Sequence, residues 1–292
     1  MITSLNRRGF LAGTAAAACG ALAAPAPASG ARFRTAICAY SFRDALKAKT
    51  ISYDDLVRLA VETGVDGLDL TVYWFPTTSN EFLLPLRRLA YRMGVDIYSI
   101  AIRSDMCQAK AEERDREVAW IRQWTDVAER LGARHIRVFG GRVPKGSTEE
   151  DASGWVVETL KRSAEYSGSK GIILGLENHG GITERAARIL DIVGQVDSPW
   201  VGVNLDTGNF RERVWEQIEM CLPRAVNTQV KASMRAEDGS QQPADWDRLF
   251  ATLVRSGYKG YLSLEYEAKE APQTAVPRLC RRLRELAGKY SG

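Results

Sequence analysis

Four short strand-like runs in the second half of the chain, three of them largely apolar, each close on an oxygen-bearing side chain. They are Leu174-Gly175-Leu176-Glu177, Val203-Asn204-Leu205-Asp206, Asn227-Thr228-Gln229 and Leu262-Ser263-Leu264-Glu265. A carboxylate after an apolar run is costly to bury without a partner. Three crowded together repel, and at least one must take a proton. A divalent cation removes that conflict. Separate ion pairs to Arg and Lys are the competing explanation for any one of these carboxylates. Their recurrence at matching places in successive units favours a shared site built from Glu177, Asp206, Gln229 and Glu265.

The elements that must position them repeat with one rhythm from Arg32 onward. A short, often β-branched run ends in polar residues and leads into an amphipathic helix. The runs predict strands over Thr35–Ala39, Gly67–Thr71, Asp96–Ile102, His135–Phe139, Ile172–Glu177, Val201–Asp206, Ala225–Lys231 and Tyr261–Glu265. Helical stripes fill the gaps, such as Tyr53, Leu56, Leu59 and Ala60, or Val118, Ile121, Trp124 and Val127. Ser52 and the run Ser147-Thr148-Glu149-Glu150 supply helix entries, and Gly64, Gly94, Gly132, Gly171 and Gly257 supply stops. Eight strands alternating with eight helices have the count and size of a (β/α)₈ TIM barrel, an α/β fold. An open doubly wound sheet normally carries a glycine-rich phosphate loop after its first strand, and Ala39-Tyr40-Ser41-Phe42-Arg43 has no glycine. The expected organisation is an export signal over 1–30 and one catalytic barrel over 31–292.

That leading segment carries Arg7-Arg8, an Ala-rich stretch from Ala12 to Ala24, and small residues at Pro25-Ala26-Pro27-Ala28. Paired arginines before a weakly apolar core read as a twin-arginine signal, which implies a periplasmic destination. Cys19 would serve a lipid-anchored form, a minor alternative because Ala16 stands where Leu is usual. The stretch is too short and Ala-rich for a stable membrane span. Removing residues 1–28 takes away two arginines and no acid, leaving 38 basic residues against 36 acidic ones. So even a balance gives no case for nucleic acid or an anionic membrane surface as partner. Cys38, Cys107, Cys221 and Cys280 lie far apart with no C-x-x-C spacing, which argues against a zinc or redox pair.

The segments Leu176-Glu177-Asn178-His179-Gly180-Gly181, Asn204-Leu205-Asp206-Thr207-Gly208-Asn209-Phe210 and Ser263-Leu264-Glu265-Tyr266-Glu267 resemble the sugar phosphate isomerase/epimerase family of xylose isomerase-like TIM barrels. The resemblance covers essentially all of the chain after the signal. In that family a Glu, an Asp, a His and a Glu on strands 5 to 8 bind one metal, often manganese. Glu177, Asp206 and Glu265 match three positions, and the His position falls on Gln229. A neutral amide oxygen favours Mn²⁺ or Mg²⁺ over zinc. The family's chemistry is proton transfer beside a carbonyl through an enediolate, so the resemblance assigns Glu177 and Glu265 as the acid/base pair.

Secondary candidates for substrate contact follow from position. His179 lies just past Glu177. Asn209 and Lys231 follow metal positions closely, and Arg142 follows a strand end where it would meet an anionic group. Tyr40, Trp74 and Phe75 follow strands 1 and 2, where aromatic rings stack on sugars. His135 begins its strand, at the end away from the expected site, and reads as structural.

The leading expectation is therefore a metal-dependent isomerase or epimerase acting on a free sugar or sugar derivative. Two alternatives stay open: a metal-dependent lyase cleaving keto-glycosides by β-elimination, and a non-catalytic periplasmic sugar-binding barrel. An apurinic endonuclease on the same barrel needs several histidines for its zinc cluster, and the chain has two. The expected partner is a small carbohydrate, and a homo-oligomer is compatible with the sequence. The export expectation is checked by fractionation: Arg7→Lys with Arg8→Lys should leave uncleaved precursor in the cytoplasm. Unchanged export of the double variant would contradict the signal assignment.

Overall fold

The computed structural model describes residues 32–236 and 238–291, so the export signal and Cys19 lie outside the described residues. Eight parallel strands close into a barrel: β1 Phe33–Cys38, β2 Gly67–Thr71, β3 Asp96–Ala101, β4 His135–Phe139, β5 Ile173–Glu177, β6 Val201–Asp206, β7 Ala225–Lys231 and β8 Gly260–Glu265. Each strand pairs with its sequence neighbours, and β1 pairs with β8 to close the ring. The principal helices are α1 Tyr53–Thr63, α2 Asn80–Arg92, α3 Ala111–Leu131, α4 Glu149–Ser169, α5 Ala186–Val196, α6 Val214–Cys221, α7 Trp246–Ser256 and α8 Pro272–Tyr290. The chain thus folds as a (β/α)₈ barrel, with strand limits within two residues of those the sequence predicts.

Local chemistry sets the helix limits. Ser52 accepts from the Asp55 amide while Asp55 accepts from the Ser52 amide, a capping box that fixes the start of α1. Thr148 and Asp151 do the same for α4. Gly64 ends α1 in the left-handed conformation, at φ 68°.

Two-residue alternation sorts the strands. Leu68, Leu70, Ile136, Val138, Leu174, Leu176, Val203, Leu205, Val230, Leu262 and Leu264 are wholly buried between strands and helices. The alternate positions face the barrel axis and are unusually polar: Asp69, Ser99, His135, Arg137, Asn204, Asn227, Gln229 and Ser263 are all buried. TIM barrels usually fill this space with branched aliphatic side chains. Here a hydrogen-bonded chain fills it. Tyr98 donates to Asn227 at 3.0 Å, Asn227 to Asn204 at 2.8 Å, and Asn204 to Gln229 at 2.8 Å. His135 lies low in the barrel, its Nδ1 2.8 Å from Ser99 Oγ, as its place at the start of β4 suggested.

Gly175 makes this packing possible. A Cβ there would stand 2.2 Å from His135 Nε2 and 3.0 Å from Asn204 Cβ. Gly175→Ala should therefore lower the unfolding free energy by about 1–3 kcal/mol, the usual cost of overpacking a core. Denaturant titration reads this directly, and a midpoint equal to wild type would mean that His135 moves aside freely.

Candidate functional site

The C-terminal strand ends hold two ion clusters. In the first, Glu177 at the end of β5 is 2% exposed. Its Oε2 lies 3.0 Å from Arg137 Nε, an ion pair without an aligned hydrogen bond. Its Oε1 lies 2.7 Å from His179 Nδ1 and accepts from Asn209 at 3.1 Å. Arg137 comes from the neighbouring strand β4 and also donates to the Tyr73 hydroxyl. The Phe139 ring lies against the Arg137 guanidinium, 4.0 Å from its Cζ, and is stacked with the His179 ring at 4.1 Å.

In the second cluster the Lys231 ammonium sits among three acids. It is 2.7 Å from Glu265 and 3.2 Å from Asp206, and it also pairs with Glu267. The strand register explains this. Asp206 pairs with Gln229 across β6 and β7, while Glu265 pairs with Lys231 across β7 and β8. Gln229 is therefore one inward-facing position below Lys231. By the β6–β7 register it is level with Asp206, while Glu265 stands one inward-facing position above it. Its Oε1 accepts from Asn204, and its Nε2 faces Asp69 at 3.5 Å. Cys38 donates to the second oxygen of Glu265 at 3.2 Å.

The motif residues around the acids brace one another. Asn178 bonds both the amide and the carbonyl of Asp206, at 2.7 Å and 2.9 Å, and so extends the sheet beyond β5. In return Asn209, beyond β6, holds Glu177. Thr207 accepts from the Lys231 amide at 3.0 Å. A cleft of about 340 Å³, lined in part by His179, Asn209, Lys231 and Glu267, opens onto this floor. Asn209 and Lys231 both line this cleft and are each bonded to an acid. Tyr40 and Trp74 stack on each other with centroids 6.0 Å apart, while Phe75 packs edge-on against Tyr53 at 4.6 Å. Arg142 lines an adjoining cleft with His179.

Comparison with known proteins agrees with this architecture. The xylose isomerase-like TIM barrel family pattern matches residues 57–286. The chain belongs to that family. It is 26% identical over 180 residues to a 3-dehydroshikimate dehydratase of Bacillus anthracis, a match spanning 58% of this chain and 60% of that protein. Its fold resembles D-psicose 3-epimerase of Clostridium cellulolyticum H10, with TM-score 0.71 and 15% identity over 88% of this chain and 98% of the other. It also resembles a 3-keto-D-glucoside 4-epimerase of E. coli, with TM-score 0.65 and 14% identity over 80% and 94%.

Burial and charge set the protonation of this family member's site. Burial pushes Glu177 upward, but Arg137 and then His179 outweigh it and hold the carboxyl below its ordinary range. Burial lowers the His179 imidazole, yet the hydrogen bond to Glu177 and the charge of that carboxylate together raise it above its ordinary value. Asp206 is pushed up to about 7 by burial, opposed by Lys231 and reinforced by Glu265 and Glu177. Asp69, a wholly buried acid, is pushed up to about 6, chiefly by burial.

A divalent cation suits these donors in kind. Glu177, Asp206, Glu265, Glu267 and Asp69 outnumber the permanent cations Arg137 and Lys231. Asp206 Oδ2 is buried without an aligned hydrogen bond. Gln229 Oε1 spends one of its two lone pairs on Asn204. In the conformation described, Lys231 holds the central place, and among the described residues no three His, Cys, Asp or Glu side chains gather closely enough to bind an ion.

Sequence reasoning passed over Arg137, Asp69, Asn178 and Glu267. Arg137 had a signal, a charge inside the apolar run His135–Phe139. Asp69 had the same one inside Gly67–Thr71.

The raised acids fix a pH dependence. In the metal-free folded state Asp206 and Asp69 keep protons that an unfolded chain loses near pH ~4. Their stabilising contribution is complete below that value and disappears as pH rises through about 6 to 7. His179, raised by Glu177, acts in the same direction at the upper end. Glu177 has the opposite sign, but its loss falls at lower pH. EDTA-treated protein should therefore show a falling melting temperature from pH 5 to pH 8, and Asp206→Asn should flatten the slope. A melting temperature that climbs across this window in wild type would contradict the assignment.

Proposed function

We propose that this chain is an isomerase or epimerase that moves a proton at a carbon beside a carbonyl in a sugar or sugar derivative, working as an exported, periplasmic protein. The observation that carries the reading is the pair Glu177 and Glu265. They stand at strand ends three strands apart around the barrel, each held by its own cation. One takes the substrate's C–H proton, and the electron pair moves onto the carbonyl oxygen to give an enediolate. The other returns a proton to the opposite face, or to the neighbouring carbon. Positioned proton transfer of this kind contributes about 10²–10⁴-fold. Arg137, His179 and Asn209 hold Glu177 in one orientation throughout. The Lys231 ammonium beside Glu265 offers positive charge toward an enediolate oxygen.

Glu177, Asp206, Gln229 and Glu265 would hold a divalent metal, manganese first and magnesium second, displacing Lys231 from its acids. Such an ion would supply Lewis-acid polarisation of the substrate carbonyl.

A lyase or dehydratase is the second reading. It is favoured by the dehydratase among the relatives and by the protonatable His179 against Glu177. It begins with the same proton abstraction, after which the enediolate electron pair expels a neighbouring oxygen group that leaves with a proton. NMR of the product separates the two, since elimination leaves a new C=C bond and isomerisation does not.

Glu177→Gln and Glu265→Gln should each cut solvent-deuterium incorporation into substrate by about 10²–10⁴-fold, while Asp206→Ala should lose metal and activity together. Exchange at the wild-type rate in both glutamine variants would end the two-glutamate mechanism. EDTA should lower the melting temperature and Mn²⁺ restore it, by about 2.7 kcal/mol of stability at a hundredfold excess over Kd. A melting curve indifferent to both would mean that the acids are simply salt-bridged.

A further inference from the structure

Beside the acidic floor lies a cleft of about 910 Å³ at the ends of β3, β4 and β5. Its charged lining is Arg103, Arg142 and Arg211 with Asp105 and Glu117, and it shares His179 with the floor. The two acids are already committed. The Asp105 carboxylate lies against the backbone of Gly141, and Glu117 accepts from the Asp105 amide at 3.2 Å. The arginines are held differently. Arg103 lies over the Tyr73 ring, Cζ to centroid 4.5 Å, which braces its guanidinium. Arg211 has one exposed acid, Glu184, at 3.4 Å. Among the described residues, neither Arg103 nor Arg142 has an acid within ion-pair distance. Glycine backbone forms part of the lining. Gly141 and Gly181 touch so closely that a Cβ on Gly181 would meet the Gly141 carbonyl oxygen at 2.3 Å, and Gly180 faces open space.

The molecule therefore carries an acidic floor and, adjoining it at His179, a cleft in which Arg103 and Arg142 have no acid within ion-pair distance among the described residues. We infer that the substrate bears an anionic group, a carboxylate or a phosphate ester, which Arg142 and Arg103 take in this cleft while the carbonyl end reaches the floor. Guanidinium forks bind either oxyanion through paired N–H donors. This inference rests on the proposed proton-transfer reading and adds the charge of the substrate to it.

Three ketoses that differ only at C6 test it on the full chain: D-fructose, D-fructuronate and D-fructose 6-phosphate. Binding is read by calorimetry and deuterium incorporation by NMR. At least one anionic ketose should bind about tenfold to a hundredfold tighter than fructose, as charge-assisted hydrogen bonds allow. Which of the two gains more identifies the oxyanion. Arg142→Gln and Arg103→Gln, confirmed as folded by their melting temperatures, should each shrink that preference, and the double variant should remove it. Equal affinity for all three ketoses, no binding of either anionic ketose, or a preference that survives the double variant would overturn the inference. Deuterium exchange without any arginine-dependent preference would remove the anion subsite and leave the proton-transfer reading intact. Arginine-dependent binding with no exchange in any ketose would do the reverse.

Discussion

The ammonium of Lys231 is the charge around which the upper barrel is organised. It lies between acids from β6 and β8 and the loop beyond β8. Without a cation there, Asp206 and Glu265 would crowd one another in a space with little water, with Glu267 at its exposed edge. Removing one partner of a buried pair typically costs about 3–5 kcal/mol, because the remaining charge is stranded. Arg137 answers the same need for Glu177. The two clusters take their cations from different strands, so each glutamate has its own counter-charge, while Asn178 and Asn209 tie the clusters together. That separation suits a reaction that asks one of them to give up a proton while the other takes one.

Beneath this layer, polarity continues down the barrel axis. The chain from Tyr98 through Asn227 and Asn204 to Gln229 ties the lower barrel to the level of Asp206. A fully satisfied network in a low-dielectric interior is stiff, and its members hold one another to a single arrangement. Gln229 is thus held from below. The orphan oxygen of Asp69 and the raised acids show where that satisfaction is incomplete.

Much of this was legible in the sequence, for a local reason. Alternating burial along each strand and glycine stops after five of the helices are short-range signals, so β4, β6 and β7 match their expected limits residue for residue. The strand ends carrying Glu177, Asp206 and Glu265 followed from the same pattern. What could not be read was partnership. Whether Lys231 or Gln229 stands level with Glu265 depends on the register of β7 against β8, which the linear pattern does not contain. Lys231 and Asn209 read as groups free for substrate because nothing along the chain shows that a neighbouring strand brings an acid to each. Arg137 was visible as a misplaced charge, but its mate became clear only with β4 beside β5.

The pairing of Phe33 with Gly260, which seals β1 to β8, has a consequence for how the molecule is made. The first strand of the barrel emerges from the ribosome more than two hundred residues before its second neighbour does. Until then β1 has one unsatisfied edge, and unsatisfied strand edges invite pairing with other chains. The seam cannot form during synthesis. It must wait for release of nearly the whole chain, and such long-range closure is slow compared with local helix formation. The nascent polypeptide therefore spends its most aggregation-prone interval as an open, curling sheet.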